Sequence, residues 1–179
     1  MDKFEVKDGV AIIPEGTTEI GEDTFYNCSS LESVIIPESV KKIGNEAFSG
    51  CTNLAKVKQG VNITSIGDKA FYNCKNLSSI TFSKNLKKIG KSAFYKCTKL
   101  KTITLNSKVS KIGTKAFYGC KNLKNITIKT KKLTSSNVGK QAFKGINSKA
   151  KIKVPSSKLK TYKKMLKSKG VSSKATIKK

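Results

Sequence analysis

Cysteines stand at positions 28, 51, 74, 97 and 120, each 23 residues after the last. An interval held constant over four steps means one short unit copied in tandem. Read outward from the cysteines, the first copy runs Ile20, Gly21, Thr24, Phe25, Cys28, Leu31, Val34. The second runs Ile43, Gly44, Ala47, Phe48, Cys51, Leu54, Val57. Further copies begin at Ile66, Ile89 and Ile112, and a sixth at Val138 after an interval of 26, with Ile146 in the cysteine place. A unit this short cannot bury an apolar face alone, so the copies must stack and equivalent letters become neighbours along one elongated body.

Stacking converts the repeat into columns. Phe25, Phe48, Phe71, Phe94, Phe117 and Phe143 form one; Leu31, Leu54, Leu77, Leu100 and Leu123 another; Val34, Val57, Ile80, Ile103 and Ile126 a third. These are the candidate core, and each buried Phe or Leu contributes roughly 1.5–3 kcal/mol before ordering entropy is subtracted. Leu123, Ile126 and Ile128 around Thr127 have the alternation and β-branching of a short strand, which predicts one parallel strand per coil. The frame Gly-x-x-Ala-Phe-x-x-Cys predicts a short helical turn, with Ala47, Ala70, Ala93, Ala116 and Ala142 admitting the neighbouring coil. That turn ends at Asn27, Gly50, Asn73, Lys96, Gly119 and Gly145, and all but Lys96 are types that enter the left-handed region readily. Gly21, Gly44, Gly67, Gly90, Gly113 and Gly139 are assigned to the corner before the turn. One column is broken: Ile36, Phe82, Leu105 and Ile128 are apolar, but the second copy offers Gln59 and Gly60. A local bulge that turns Gln59 outward is the simpler reading, and a functional pocket is the other.

The odd cysteine count and its strict phase point to reduced core thiols rather than a disulfide framework. Side chains in one ladder point the same way, which gives poor S–S torsions. A metal site lacks convergent ligands, and the chain has no His.

Three regions follow. Residues 1–19 form an N-terminal cap and partial repeat, with Phe4 to Val10 alternating around an Asp8-Gly9 turn. Residues 20–150 are the solenoid, and residues 151–179 a basic cap of strand, helix and strand. In that cap a helix over 157–169, stopped by Gly170, carries an apolar stripe of Leu159, Tyr162 and Leu166 beside Met165. A solenoid cap is the preferred role of this basic amphipathic helix over membrane binding. No run of about 18 apolar residues exists to span a membrane, and the first residues have no secretion-signal pattern.

The recurring pattern Cys-x-x-Leu-x-x-Ile-x-Ile/Leu-Pro-x-x-Val/Leu-x-x-Ile-Gly-x-x-Ala-Phe resembles the leucine-rich repeats of BspA-like surface proteins over about residues 10 to 155. Cys74, Asn76, Leu77 and Ile80, leading to Ile89, Gly90, Ala93 and Phe94, are close to that consensus, while its proline is kept only at Pro14 and Pro37. The resemblance implies an α/β solenoid, a leucine-rich repeat right-handed superhelix of about six coils. It also implies an extracellular or cell-surface home on a bacterium, and binding of host or neighbouring-cell protein or glycan without chemistry.

Composition agrees with a binder. All 11 carboxylate side chains lie at or before Asp68, beside only Lys3, Lys7, Lys41, Lys42, Lys56 and Lys58; every other lysine lies beyond it. With no His, and no carboxylate after Asp68, the groups that shuttle protons near neutral pH are scarce, so neither enzyme activity nor a cofactor is expected. Two binding readings remain. One uses the outward strand positions Ser33, Ile35, Lys56, Lys58, Ser79, Thr81, Thr102, Thr104, Asn125 and Thr127 as a surface for a protein or glycan. The other uses Lys84, Lys87, Lys88, Lys108, Lys111, Lys131 and Lys132 as a basic flank for a polyanion. Specific nucleic-acid recognition is not expected, because the chain has no Arg to supply the bidentate fork. Tyr26, Tyr72, Tyr95 and Tyr118 form a further column, assigned to packing beside the turn, with ligand stacking as the alternative.

Overall fold

The computed structural model describes residues 4–179. Equivalent residues of successive coils lie side by side throughout. Strands Val10–Ile12, Ser33–Ile35 and Lys56–Lys58 pair in parallel, with Val34 between Ala11 and Val57. Strands Thr102–Leu105, Asn125–Ile128, Lys151–Lys153 and Thr176–Lys178 continue the same face, with Ile126 between Ile103 and Ile152. A second parallel sheet, which the sequence reading did not contain, is built from Glu19–Ile20, Lys42–Ile43, Ser65–Ile66, Lys88–Ile89 and Lys111–Ile112. Its strands are two residues long, too short to display an alternation.

The Phe column lies between the sheets as a continuous stack from Phe25 to Phe143, with centroids 5.0–5.5 Å apart and ring planes within 10° of parallel. Parallel strands sit about 4.8 Å apart, so the backbone sets the ring spacing. That spacing falls inside the favourable range for offset stacking.

The turn of each coil departs from a helix. Phe48 N–H donates to the Ala70 carbonyl of the next coil at 2.8 Å, and Phe71 and Phe94 donate likewise to Ala93 and Ala116 at 2.7 Å. Donors that a helix would keep inside the turn are thus given to the neighbour. Within the coil only tight bonds remain, such as Tyr72 N–H to Lys69 O and Cys74 N–H to Phe71 O. Two left-handed residues bracket each turn. The set at its end includes Lys96, at φ 54° in spite of its side chain. The set at its start, Asp23, Glu46, Lys69, Ser92, Lys115 and Gln141, holds φ of 52–56° in residue types that, Asp23 apart, carry no such signal. Inter-coil bonds such as Lys69 N–H to Lys91 O impose it.

The recurring glycine is needed for close approach rather than for a left-handed corner. A Cβ on Gly90 would lie 2.4 Å from the Gly67 carbonyl carbon, whereas Gly21, with no coil beneath it, would meet nothing nearer than 3.4 Å.

Cys51, Cys74, Cys97 and Cys120 are free, fully buried thiols. Each donates its S–H to the Phe carbonyl 26 residues earlier: Phe25, Phe48, Phe71 and Phe94, at 3.0–3.1 Å. Burial pushes Cys51 up to about 12, with Cys28 adding to the effect, and raises Cys74 and Cys97 as well.

The strand face is interrupted once. Lys56–Lys58 does not pair with the next coil, and Ser79 joins Thr102 only through an isolated bridge. Val57, at this seam, is the one half-buried member of its column. Gln59 does not turn outward: its Nε2 donates to the Thr81 carbonyl, and its Oε1 is buried without a partner. Ile36 N–H donates to Lys58 O one coil earlier, so the Gln59 side chain occupies the carbonyl that its own backbone would be expected to reach. The Ile-Gly sheet passes the seam unbroken.

Both ends of the stack are closed. Val6–Lys7 and Val10–Ile12 form an antiparallel hairpin across Asp8 and Gly9, both left-handed, and Phe4 stacks on Phe25. At the other end helix Leu159–Ser168 buries Tyr162, Met165 and Leu166. Tyr162 Oη donates to Thr130 O and accepts from Leu133 N–H. Phe143 N–H, which has no further repeat to address, donates to the Lys169 carbonyl.

The buried thiols make stability fall at alkaline pH. The unfolded thiol ionises near pH 9 while the folded one stays protonated, so the folded state holds the extra proton and loses stability as pH rises. Urea unfolding of wild type and Cys74→Ala at pH 8 and pH 10 is expected to show the gap between them narrowing by about 1–2 kcal/mol. A constant gap would contradict a buried protonated thiol.

Candidate binding surface

Register gathers the predicted outward residues into two columns. Ser33 lies beside Lys56 and Ile35 beside Lys58; across the seam, Thr102 lies beside Asn125 and Thr104 beside Thr127. Ser79 and Thr81 are exposed, and with Thr102, Thr104, Asn106 and Lys129 they line a shallow groove. The columns extend past the predicted set, to Val10 and Ile12 at one end and to Lys151, Lys153, Thr176 and Lys178 at the other. These were missed because the caps leave the repeat frame, although the strand of Lys151–Lys153 was legible in itself. The face is apolar at its start, with Ile12 65% and Ile35 39% exposed, carries Lys56 and Lys58 before the seam, and then passes through hydroxyls to lysines at the far end.

Hydrogen bonding separates this face from several other polar columns. Elsewhere small polar side chains tie one coil to the next: Thr64 Oγ1 to Lys41 O at 3.1 Å, Asn106 Nδ2 to Phe82 O at 2.9 Å, Thr130 Oγ1 to Val109 O at 2.6 Å. Among the described residues the side chains of Ser33, Ser79, Thr81, Thr102, Thr104, Asn125 and Thr127 make no such bond. Their donors and acceptors stand toward solvent at the spacing of the strands.

The predicted lysine flank is only partly assembled. Lys88 and Lys111 are in register on the Ile-Gly sheet, with Lys87 adjoining Lys88. Lys84 and Lys108 line a different groove with Glu38, and Lys108 Nζ donates to Asn85 Oδ1 at 2.6 Å. Lys131 and Lys132 are exposed on the loop after Asn125–Ile128, and neither lines these grooves. Among the described residues carboxylates pair with lysines in Lys42–Glu19 and Lys69–Glu46, both near the start and solvent-accessible, and these pairs contribute little.

Tyr72, Tyr95 and Tyr118 stack on one another at 4.9 and 5.1 Å. Lys96 and Lys115 lie over Tyr95 and Tyr118 respectively. Tyr95 carries a ring on both faces, as packing beside the turn requires, while Tyr72 lines a groove with Tyr26 and Ser49. Tyr26 stands apart because Ser49 interrupts the column.

A sequence model of the BspA type leucine-rich repeat region matches residues 18–146 in six copies. No protein of curated function matches the chain. Among solved structures, a leucine-rich repeat protein of T. pallidum is 26% identical over 93% of this chain and 86% of its own, with a TM-score of 0.69. One from Bacteroides ovatus is 30% identical over 82% of this chain and 39% of its own, with a TM-score of 0.68. The pneumococcal vaccine antigen PcpA is 26% identical over 95% of this chain and 41% of its own, with a TM-score of 0.75. The chain spans about two fifths of the last two proteins.

Uncommitted hydroxyls are expendable for folding. Thr127→Ala is expected to change stability by less than about 0.5–1 kcal/mol. Thr130→Val, which strands the Val109 carbonyl, is expected to cost about 1–3 kcal/mol. Chemical denaturation of the two variants checks the contrast.

Proposed function

The chain belongs to the BspA-type leucine-rich repeat family, and we propose that it is a non-enzymatic adhesion or protein-interaction module acting at the cell surface through its strand face. One observation carries the reading: the stack uses none of the small polar side chains on that face. Two flat columns of hydroxyls and amides at strand spacing present donors and acceptors on a backbone that needs no reordering to bind. Thr and Asn side chains lose little rotamer freedom on contact, and the exposed Ile12 and Ile35 add an apolar margin at one end. A host or neighbouring-cell protein or glycan is the proposed partner. Surface display is supported by the pneumococcal neighbour, itself described as a vaccine antigen. Among the described residues no helix is long and apolar enough to cross a membrane.

The second reading, a lysine-driven binder of polyanions such as acidic glycan or envelope polymer, is favoured by the adjacent Lys88 and Lys111 and by the lack of any carboxylate beyond Asp68. The two separate experimentally. Fluorescently labelled protein is applied to intact host epithelial cells across a salt series, together with the triple variant Thr81→Tyr, Thr104→Tyr, Thr127→Tyr. Adhesion through the strand face persists at high salt and is lost in the triple variant. Adhesion that collapses with salt and ignores the three substitutions supports the polyanion reading instead.

A further inference from the structure

The residue after each recurring glycine starts a column of its own. At two of its members the side chain reaches the backbone amide of its counterpart one coil on: Asn45 Oδ1 accepts the Asp68 N–H at 2.9 Å, and Asp68 Oδ1 accepts the Lys91 N–H at 2.7 Å. The next member is Lys91, whose ammonium can only donate. The Thr114 N–H, which an acceptor at 91 would cap, has no partner among the described residues. Lys91 and exposed Thr114 both line a groove of about 420 Å³, whose walls also carry Lys88 and Lys111, the pair in register on the Ile-Gly sheet.

The carboxylate on the Lys91 amide therefore shows, one coil earlier, what the Thr114 amide lacks. We propose that this groove binds an oxyanion, the phosphate or sulfate group of an acidic polymer. Its oxygen takes on the Thr114 N–H the place that the Asp68 carboxylate holds on the Lys91 N–H. Lys88, Lys91 and Lys111 supply the countercharge. Asp68 is the one anion in the groove, and its Oδ1 is already held by the Lys91 amide. Ser136 and Asn137 close the far wall, and their side chains are engaged with Thr134. A backbone donor set among three lysines gives this groove the means to orient an anion, which dispersed ammoniums attract without orienting. The proposal rests on the polyanion reading and gives it a site.

Substitution at position 91 tests it with an internal standard. Lys91→Asp restores the column by placing a carboxylate on the Thr114 amide, and removes a cation from the groove. Lys121→Asp makes the same charge change on an exposed turn outside it. Backbone-amide NMR of the full chain is followed during titration with inorganic phosphate, and then with a sulfated oligosaccharide. The expected result is a saturable shift of Thr114 with phosphate, and binding at least about tenfold tighter for the oligosaccharide through its several charges. Lys91→Asp is expected to abolish the shift and weaken oligosaccharide binding about tenfold, while melting no lower than wild type. Lys121→Asp is expected to weaken binding less than about threefold. Equal losses in the two variants, or no response of Thr114, overturn the site. If wild type is then still retained on a sulfated-polymer column at moderate salt, the polyanion reading stands without the site; if it is not retained, both fall.

Discussion

Every coil is held to the next at the spacing of a parallel strand pair, about 4.8 Å, and the rest of the molecule follows from that distance. The Ile-Gly corner enforces it most strictly, because the glycine backbones there approach so closely that a Cβ on Gly90 or Gly113 would overlap the coil beneath. Once the corner is set, the Phe rings have no spacing available except one that stacks them. The turn amides must find their acceptors in the neighbouring coil. The thiols come under the same rule: each Phe carbonyl already takes a tight bond from the Cys amide of its own coil, and the Cys of the next coil fills its second lone pair. Cysteine is small enough for that position and apolar enough to be buried there, which accounts for its recurrence without any redox or metal role.

The same regularity divides the polar residues into two kinds. On the corners and turns, many Asn, Ser and Thr side chains, such as Asn53, Asn62, Thr64 and Asn106, complete bonds that the backbone cannot make alone and are part of the fold. On the strand face the ladder is already complete in the backbone, so hydroxyls there have no structural task. A binding surface can vary on that face without disturbing the stack beneath. The seam at Gln59 is the exception, where a side-chain amide substitutes for a ladder bond and leaves Val57 partly uncovered.

The repeat, the core columns, the cap helix and the end-of-turn left-handed residues were legible because each depends on a side-chain type recurring at a fixed interval. The second sheet, the start-of-turn left-handed residues and the reason for the glycines were not, since all three arise from contacts between coils that no single copy displays. Glu46, Lys69 and Ser92 adopt positive φ because a neighbour demands it, and nothing in those side chains announces it. For the surface, the outward set within the repeats could be read by alternation. Its extension to Ile12 and Lys151 required knowing where the caps join the sheet. The lysine flank was read from composition, which does not say which lysines meet. Lys88 and Lys111 do, while Lys131 and Lys132 lie on a loop outside both grooves.

Charge in a stack of this kind obeys a column rule. A lysine at the same position in adjacent coils meets its like at one strand spacing; with a neutral residue between, the separation doubles to about 10 Å, near the screening length at physiological salt. Several columns follow the second pattern: Lys69, Ser92, Lys115; Lys75, Thr98, Lys121; Lys91, Thr114, Lys140. Alternation lets the chain carry a large positive charge while keeping the repulsion of each neighbour pair small. Lys88 and Lys111 break the rule on the wall of a groove that also offers a free backbone donor. Two ammoniums held in register by a sheet have less freedom to separate than two on a loop. An anion between them relieves a repulsion that the fold itself imposes, which is why the adjacency carries more weight for ligand binding than the total number of lysines.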